Sequence, residues 1–149
     1  MQTQMDLNFI KLRKNAMVPK KTTSGSAGWD LYACLEENIQ LSFGELVKIP
    51  CGIAIELPEN YTALIFARSG LGTNYGIMPS NAVGVIDSDY RGEIQVGLCR
   101  VENNELYTIK NQDRIAQLII VKIENFNFRE VKNISKTERG TRGFGSTGK

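Results

Sequence analysis

Histidine is absent from the 149 residues. That removes the commonest general base and the commonest metal ligand. Cysteine is scarce: Cys34, Cys51 and Cys99 are odd in number, far apart and form no CxxC pair. They exclude a disulfide frame or a thiolate zinc site and read as small buried apolar residues of a cytoplasmic protein. No apolar run is long enough to span a bilayer, and no signal peptide is seen. The Asn133-Ile-Ser135 sequon is then irrelevant. Charge of one sign is also missing. The net charge is +2, which does not call for nucleic-acid binding. Lys11, Arg13, Lys14, Lys20 and Lys21 read as a solvated surface, because no aromatic stacking partners interleave with them. Apart from one short stretch at Ser69 to Tyr75, no window carries a helical period.

What is present is mostly strand-like. Leu7–Leu12, Trp29–Leu35, Leu46–Leu57, Tyr61–Ala67, Glu93–Val101, Ile115–Ile123 and Phe126–Val131 are β-branched, aromatic or alternating. Turn signals separate them: Ser24-Gly25, Phe43-Gly44, Pro58-Glu-Asn60, Asn103-Asn104 and Asn111-Gln112. Many short strands at this spacing predict an all-β, jelly-roll-like barrel with at most one short helix. There is no internal repeat and no linker. The expected organisation is a single domain over 1–136 with a mobile lid over 137–149.

The last eleven residues, Arg139 to Lys149, hold four glycines, three hydroxyls, two arginines, a lysine and Phe144. This composition cannot hold a helix or strand alone. It suits an anion, offering backbone N–H groups, hydroxyls and guanidinium forks to phosphate oxygens. Phe144 adds a flat ring able to cover a base. Gly143 to Lys149 matches most of a P-loop, but a P-loop needs a following hydroxyl residue and helix, and neither is present.

Four more polar islands stand between the strands. Ala27-Gly-Trp-Asp30-Leu-Tyr-Ala33 places a carboxylate in a strand. Ala67-Arg68-Ser69-Gly70-Leu71 places a cation and a hydroxyl at a strand end beside a helix start, which suits phosphate. In Asn81-Ala-Val-Gly-Val-Ile-Asp87-Ser-Asp89-Tyr90-Arg91-Gly92, the stretch Asp87 to Gly92 reads as a hairpin end. Asp113-Arg114-Ile-Ala-Gln117 is the last. Each alone has a bland reading as turn, loop or surface ion pair. Together they supply carboxylates, guanidinium groups and aromatics for a metal-bridged polyphosphate. Mg²⁺ prefers oxygen ligands and binds through substrate phosphates and a carboxylate or two. Without histidine, thiolate or a serine–base pair, the plausible route is a carboxylate that orients and deprotonates water. An aspartate, with its ordinary pKa of about 3.9, is a weak base and needs electrostatic help from metal and cations.

In this order and spacing the five islands resemble the motifs of the homotrimeric dUTPase family. Ile86-Asp-Ser-Asp-Tyr-Arg-Gly92 and Gly143-Phe-Gly-Ser-Thr-Gly148 are the most specific. The resemblance implies a β-clip fold of the jelly-roll type and a homotrimer with sites shared between subunits. It implies hydrolysis of dUTP to dUMP and pyrophosphate with Mg²⁺, by water attack on the α-phosphorus. Such an activity limits uracil in DNA and supplies dUMP for thymidylate synthesis. By the same resemblance Asp87 activates the water and Gln117 holds it. Tyr90 stacks on the deoxyribose, where a 2′-hydroxyl would clash. Asn81 and the backbone at Val83, Gly84 and Ile86 read the uracil edge. Asp30 orients water around the Mg²⁺, and Arg68, Ser69 and Gly70 contact phosphate. Arg139, Phe144, Gly145, Ser146 and Thr147 close over the ligand.

Two positions depart from the family pattern: Gln112 and Arg142 stand where glycine is usual. If the turn needs positive φ, Gln112 carries a cost of about 1 kcal/mol. Two other readings remain. A dCTP deaminase of related fold needs a proton-shuttling glutamate beside the pyrimidine, and none occurs in Asn81 to Asp87. A non-enzymatic nucleotide sensor conflicts with the intact Asp87, Tyr90 and Arg139.

Overall fold

A computed structural model describes residues 5–102 and 105–143. The strands are β1 Asn8–Lys11, β2 Trp29–Tyr32, β3 Ile39–Leu41, β4 Leu46–Pro50, β5 Ile53–Glu56, β6 Tyr61–Phe66, β7 Ile77–Pro79, β8 Gly84–Ile86, β9 Gln95–Arg100, β10 Tyr107–Ile109 and β11 Arg114–Lys122. One helix, α1 Ser69–Tyr75, lies between β6 and β7. It matches the stretch predicted from sequence. The pairings are all antiparallel and form four sheets, in the orders β1-β5, β10-β3, β2-β11-β6-β8 and β4-β9-β7. The sheets wrap one core without closing into a barrel, in keeping with the jelly-roll-like β-clip.

Alternation builds that core. In β9, Val96, Leu98 and Arg100 point inward while Gln95 faces out, as the period of two requires. Leu31, Leu41, Ile49, Ile53, Leu98 and Leu118 are among the fully buried side chains. Arg100 is buried too, and it donates to the carbonyls of Tyr75, Leu41 and Glu105. A buried guanidinium is tolerated only when so satisfied. Here it ties the end of α1 to β3.

Three sequence expectations change. The run Leu46–Leu57 is two strands, because Gly52 has φ +72 and breaks it. A Cβ there would meet Ala16 Cβ and Cys34 Sγ at 2.7 Å, so only glycine fits. The segment Phe126–Val131 forms no strand. It is fully outside the body, with Phe126 and Phe128 exposed. Its alternation is real but it has no strand to pair with in this chain, and an unpaired strand is not stable. Third, Asp87 to Gly92 lies in a crossover between two sheets instead of at a hairpin end: β8 pairs with β6, while β9 pairs with β4 and β7.

The body ends near Ile123, whose amide donates to Asn60 O at 2.7 Å. From Lys122 to Arg142 every residue is exposed. The hydrogen bonds described beyond Asn125 join residues 137–142 to one another. Cys34 and Cys51 are buried as expected, Cys99 partly so, and all three are free thiols. Burial pushes the Cys51 thiol up to about 12, so it carries no thiolate at neutral pH. Among the described residues, no helix is long and apolar enough to cross a membrane.

Candidate active site

The predicted residues fall into two separate clusters. The first lies where β2, β6 and β11 meet. Asp30 and Gln117 are directly opposed across β2 and β11, and Gln117 is opposed to Phe66 on its other side. Gln117 Nε2 donates to Ala67 O at 2.8 Å, which aims the amide at the end of β6. There the chain turns into α1 through Arg68. Arg68 Nε donates to Asp30 Oδ1 at 3.0 Å. The other carboxylate oxygen takes Arg114 Nη1 at 3.4 Å and the Thr22 hydroxyl at 3.2 Å. Asp30 is only 13% exposed, so these interactions are weakly screened. Ser69 and Gly70 stand exposed in the first turn of α1.

Sequence reasoning missed Arg114 and Thr22. Asp113-Arg114 read as a neighbouring ion pair, but the two side chains part. Asp113 Oδ2 accepts from Lys110 N at 2.8 Å and closes a turn, while Arg114 crosses to Asp30. That turn places Gln112 at φ +66, so the position does require the left-handed backbone that glycine would favour. Alternation gave no signal for Arg114, because the ladder between β11 and β2 is irregular between Arg114 and Ala116.

The second cluster is the crossover from β7 through β8 to β9. Asn81, Ile86, Asp87, Tyr90, Glu93 and Gln95 are among the residues lining a cleft of about 210 Å³. Gly84 lines it too, buried against Ile65, and the preceding Val83 is exposed. A tight turn carries the functional groups, with Tyr90 N donating to Asp87 O at 3.2 Å. Asp87 and Asn81 are exposed, and Tyr90 is 47% exposed. The Tyr90 ring lies over Gly92, where a Cβ would fall 2.4 Å from its hydroxyl oxygen. A larger open depression of about 650 Å³ beside Arg13, Lys14 and Cys34 holds none of the predicted site residues.

Glu93 was not singled out from sequence. Its carboxylate accepts Arg13 Nε at 2.8 Å, Arg13 Nη2 at 3.2 Å and Gly52 N at 3.0 Å. Burial works to raise its pKa, but the Arg13 guanidinium and the Gly52 amide overcome this and hold it below the usual carboxylate range.

One chain does not bring the clusters together. Asp87 follows β8 at the level of Thr62 on β6, whereas Gln117 is level with Phe66. Four residues along the strand and two strand spacings across give a backbone separation of roughly 16 Å. Two groups that share one water must lie within about 3 Å of it.

Arg139 sits in a turn, where its Nε donates to Arg142 O at 2.9 Å. Arg142 returns hydrogen bonds to the carbonyls of Arg139 and Glu138. The predicted ligand contacts at Phe144, Gly145, Ser146 and Thr147, like the Asn103-Asn104 turn, lie outside the described residues. Among the described residues, no group of three or more His, Cys, Asp or Glu side chains could cage a metal. Both Asp30 oxygens are occupied by guanidinium and hydroxyl groups. Such a donor set fits Mg²⁺ carried on phosphate oxygens, with protein contact through water.

Residues 14–148 match the dUTPase family model. The chain belongs to the dUTPase family. The deoxyuridine 5'-triphosphate nucleotidohydrolase of Methylobacillus flagellatus is 45% identical, covering 100% of this chain and 99% of that one. The enzyme of the same name from Finegoldia magna is 47% identical, covering 91% of this chain and 94% of its own. Among solved structures, the Staphylococcus bacteriophage 80alpha dUTPase G164S mutant with dUpNHpp superimposes with a TM-score of 0.82 at 26% identity. It covers 97% of this chain and 99% of that one. These likenesses favour dUTP hydrolysis over the deaminase and sensor readings.

Proposed function

We propose that this chain hydrolyses dUTP to dUMP and pyrophosphate, as a homotrimer whose sites each combine the two clusters from different subunits. The observation that carries the reading is the pair of half-sites, each chemically incomplete. The cluster at residues 81–94 holds a free carboxylate and an aromatic ring beside a cleft. The cluster at Asp30, Arg68, Arg114 and Gln117 holds cations and an amide. A nucleoside triphosphate needs both, and roughly 16 Å of backbone separates them within one chain.

In the composite site, the exposed backbone and side chain of Asn81, with Val83, Gly84 and Ile86, read the uracil edge. Tyr90 stacks on the deoxyribose and leaves no room for a 2′-hydroxyl. Arg68, Ser69 and Gly70 take phosphate oxygens. Gln117 holds the attacking water against Asp87. The water oxygen bonds to the α-phosphorus, the bond from that phosphorus to the bridging oxygen breaks, and pyrophosphate leaves. The water's proton passes to the Asp87 carboxylate. Mg²⁺, which enzymes of this family use, neutralises charge on the phosphates when bound. Asp30 orients its hydration shell while keeping Arg68 and Arg114 at hand. Arg139, Phe144, Gly145, Ser146 and Thr147 form the lid of the same domain, with Phe144 on the uracil. The cytoplasm, where dUTP arises, is the expected compartment.

Pyrophosphate release measured with dUTP, dCTP and UTP tests this reading. Turnover is expected with dUTP, with little from the other two. Ammonia release from dCTP, or equal rates on dUTP and UTP, would sink it.

A further inference from the structure

Tyr90 is held by Glu93, which is itself gripped by Arg13 and Gly52 from outside the nucleotide cleft. Its hydroxyl donates to Glu93 O at 3.0 Å, and its ring rests on the bare backbone of Gly92. The position of that ring therefore depends on where residue 93 is held. Residue 94 is fixed on one side: Ile94 N donates to Ile53 O at 2.8 Å, and Cys51 N donates to Ile94 O at 2.9 Å. Residue 93 itself is fixed by its side chain. The Glu93 carboxylate, only 16% exposed, is gripped by the Gly52 amide and by two nitrogens of Arg13. Arg13 belongs to a different part of the chain. It follows β1, where Leu12 N is anchored to Gly52 O at 2.8 Å and Ala16 N returns to Arg13 O at 3.1 Å.

We infer that Arg13 is a positioning residue for sugar selection. Through the Glu93 carboxylate and carbonyl, it sets the height of the Tyr90 ring over the cleft. The inference rests on the reading of Tyr90 as the group that stacks on the deoxyribose. The chemistry favours it over a merely stabilising surface pair. An exposed pair between flexible side chains contributes little. Here Arg13 is 43% exposed, but the fork is two-pronged, the carboxylate is largely enclosed, and a backbone amide shares it, so three hydrogen bonds fix the geometry. A ring held rigidly rejects a single added hydroxyl, whereas a ring that yields admits it. Removing the fork should therefore relax discrimination before it harms folding.

The experiment measures kcat/KM for dUTP and UTP, with melting temperature alongside, in wild type, R13M, Y90F, Y90A and R13M/Y90F. R13M is expected to lower the dUTP-to-UTP ratio by about threefold to tenfold, the worth of one hydrogen bond. Y90F, which removes the hydroxyl bond to Glu93 O, should do the same. The double variant should lose no more than the larger single loss, because both changes cut one chain of contacts. If Y90A lowers the ratio and R13M does not, Arg13 does not act through Tyr90, and the reading of Tyr90 stands. Additive losses in the double variant would overturn the inference as well. An unchanged ratio in Y90A would remove the reading of Tyr90 and the inference with it. R13K keeps the charge without the two-pronged fork, and is read the same way if R13M does not fold.

Discussion

Asp30 and Asp87 are both aspartates in or next to short strands, and their surroundings are opposite. Asp30 lies within β2, 13% exposed, with Arg68, Arg114 and Thr22 on its two oxygens. Asp87 stands exposed just past β8, and its side chain makes no hydrogen bond among the described residues. A carboxylate whose two oxygens are taken by guanidinium and hydroxyl groups organises charge. A carboxylate held only by its backbone turn keeps its lone pairs for a ligand. The same contrast runs through the clusters around them. The Asp30 cluster is assembled by side chains from β2, β11 and the end of β6. The Asp87 cluster is assembled by backbone, at a crossover between two sheets.

The sharpest way to break this comparison is to exchange the roles. Asp87→Asn should reduce kcat by about 10²- to 10⁴-fold, the usual cost of losing a general base, with nucleotide affinity largely kept. A kcat within threefold of wild type would assign the proton elsewhere. The pair Asp87→Asn and Arg68→Met then tests whether the clusters meet across subunits. Each variant alone should be nearly inactive. Unfolded together and refolded as a mixture, they should recover activity well above either alone, because some interfaces join an intact Asp87 to an intact Arg68. Mixed protein no more active than its components would mean that one chain supplies both halves.

Removing Arg139 to Lys149 should leave the melting temperature unchanged and lower kcat/KM by at least about a hundredfold. Several charge-assisted hydrogen bonds of roughly 1.5–3 kcal/mol each are lost together. Full activity in the truncated protein would show that the segment is not a lid.

Glu93 offers a smaller effect on stability. Its folded pKa lies below the ordinary 4.5. The stabilisation it gives is therefore complete above that value and is lost as pH falls through the lower folded one. Urea unfolding of wild type and Glu93→Gln should differ at neutral pH and converge at acid pH, below the folded value. An equal difference at both would show that the charge of Glu93 is not what stabilises. The smallest effect belongs to Gln112, at φ +66. Gln112→Gly relieves about 1 kcal/mol of left-handed strain, while the added unfolded-state entropy opposes this by a smaller amount. A net gain of about 0.5 kcal/mol is expected by thermal unfolding, and a clear loss would show that the Gln112 side chain contributes contacts of its own.

Much of the molecule was written locally. The run Glu93–Val101 marked β9, and the short stretch around Ser69 to Tyr75 marked the helix. Strands β3, β7, β8 and β10, of three residues each, were not separately legible. So short a run carries too little periodicity to stand out, and its pairing partners are distant in sequence. Phe126–Val131 failed for the converse reason: a strand pattern makes a strand only when a partner edge is available.

What the amino-acid sequence determined by itself was chemical identity. The absence of histidine left the chemistry to carboxylates and water. The ordered islands pointed to a metal-bridged polyphosphate, and the motifs at Ile86–Gly92 and Gly143–Gly148 to the dUTPase family. Residue type and short spacing suffice for this, since they define which groups are available. What only the tertiary structure decided was which of those groups meet. It sent Arg114 to Asp30 and away from Asp113. It joined Arg13 to Glu93 across 80 positions. It also kept Asp87 apart from Gln117. Contacts of this kind depend on sheet register and on which strand lies beside which, and both are set by how the whole core packs.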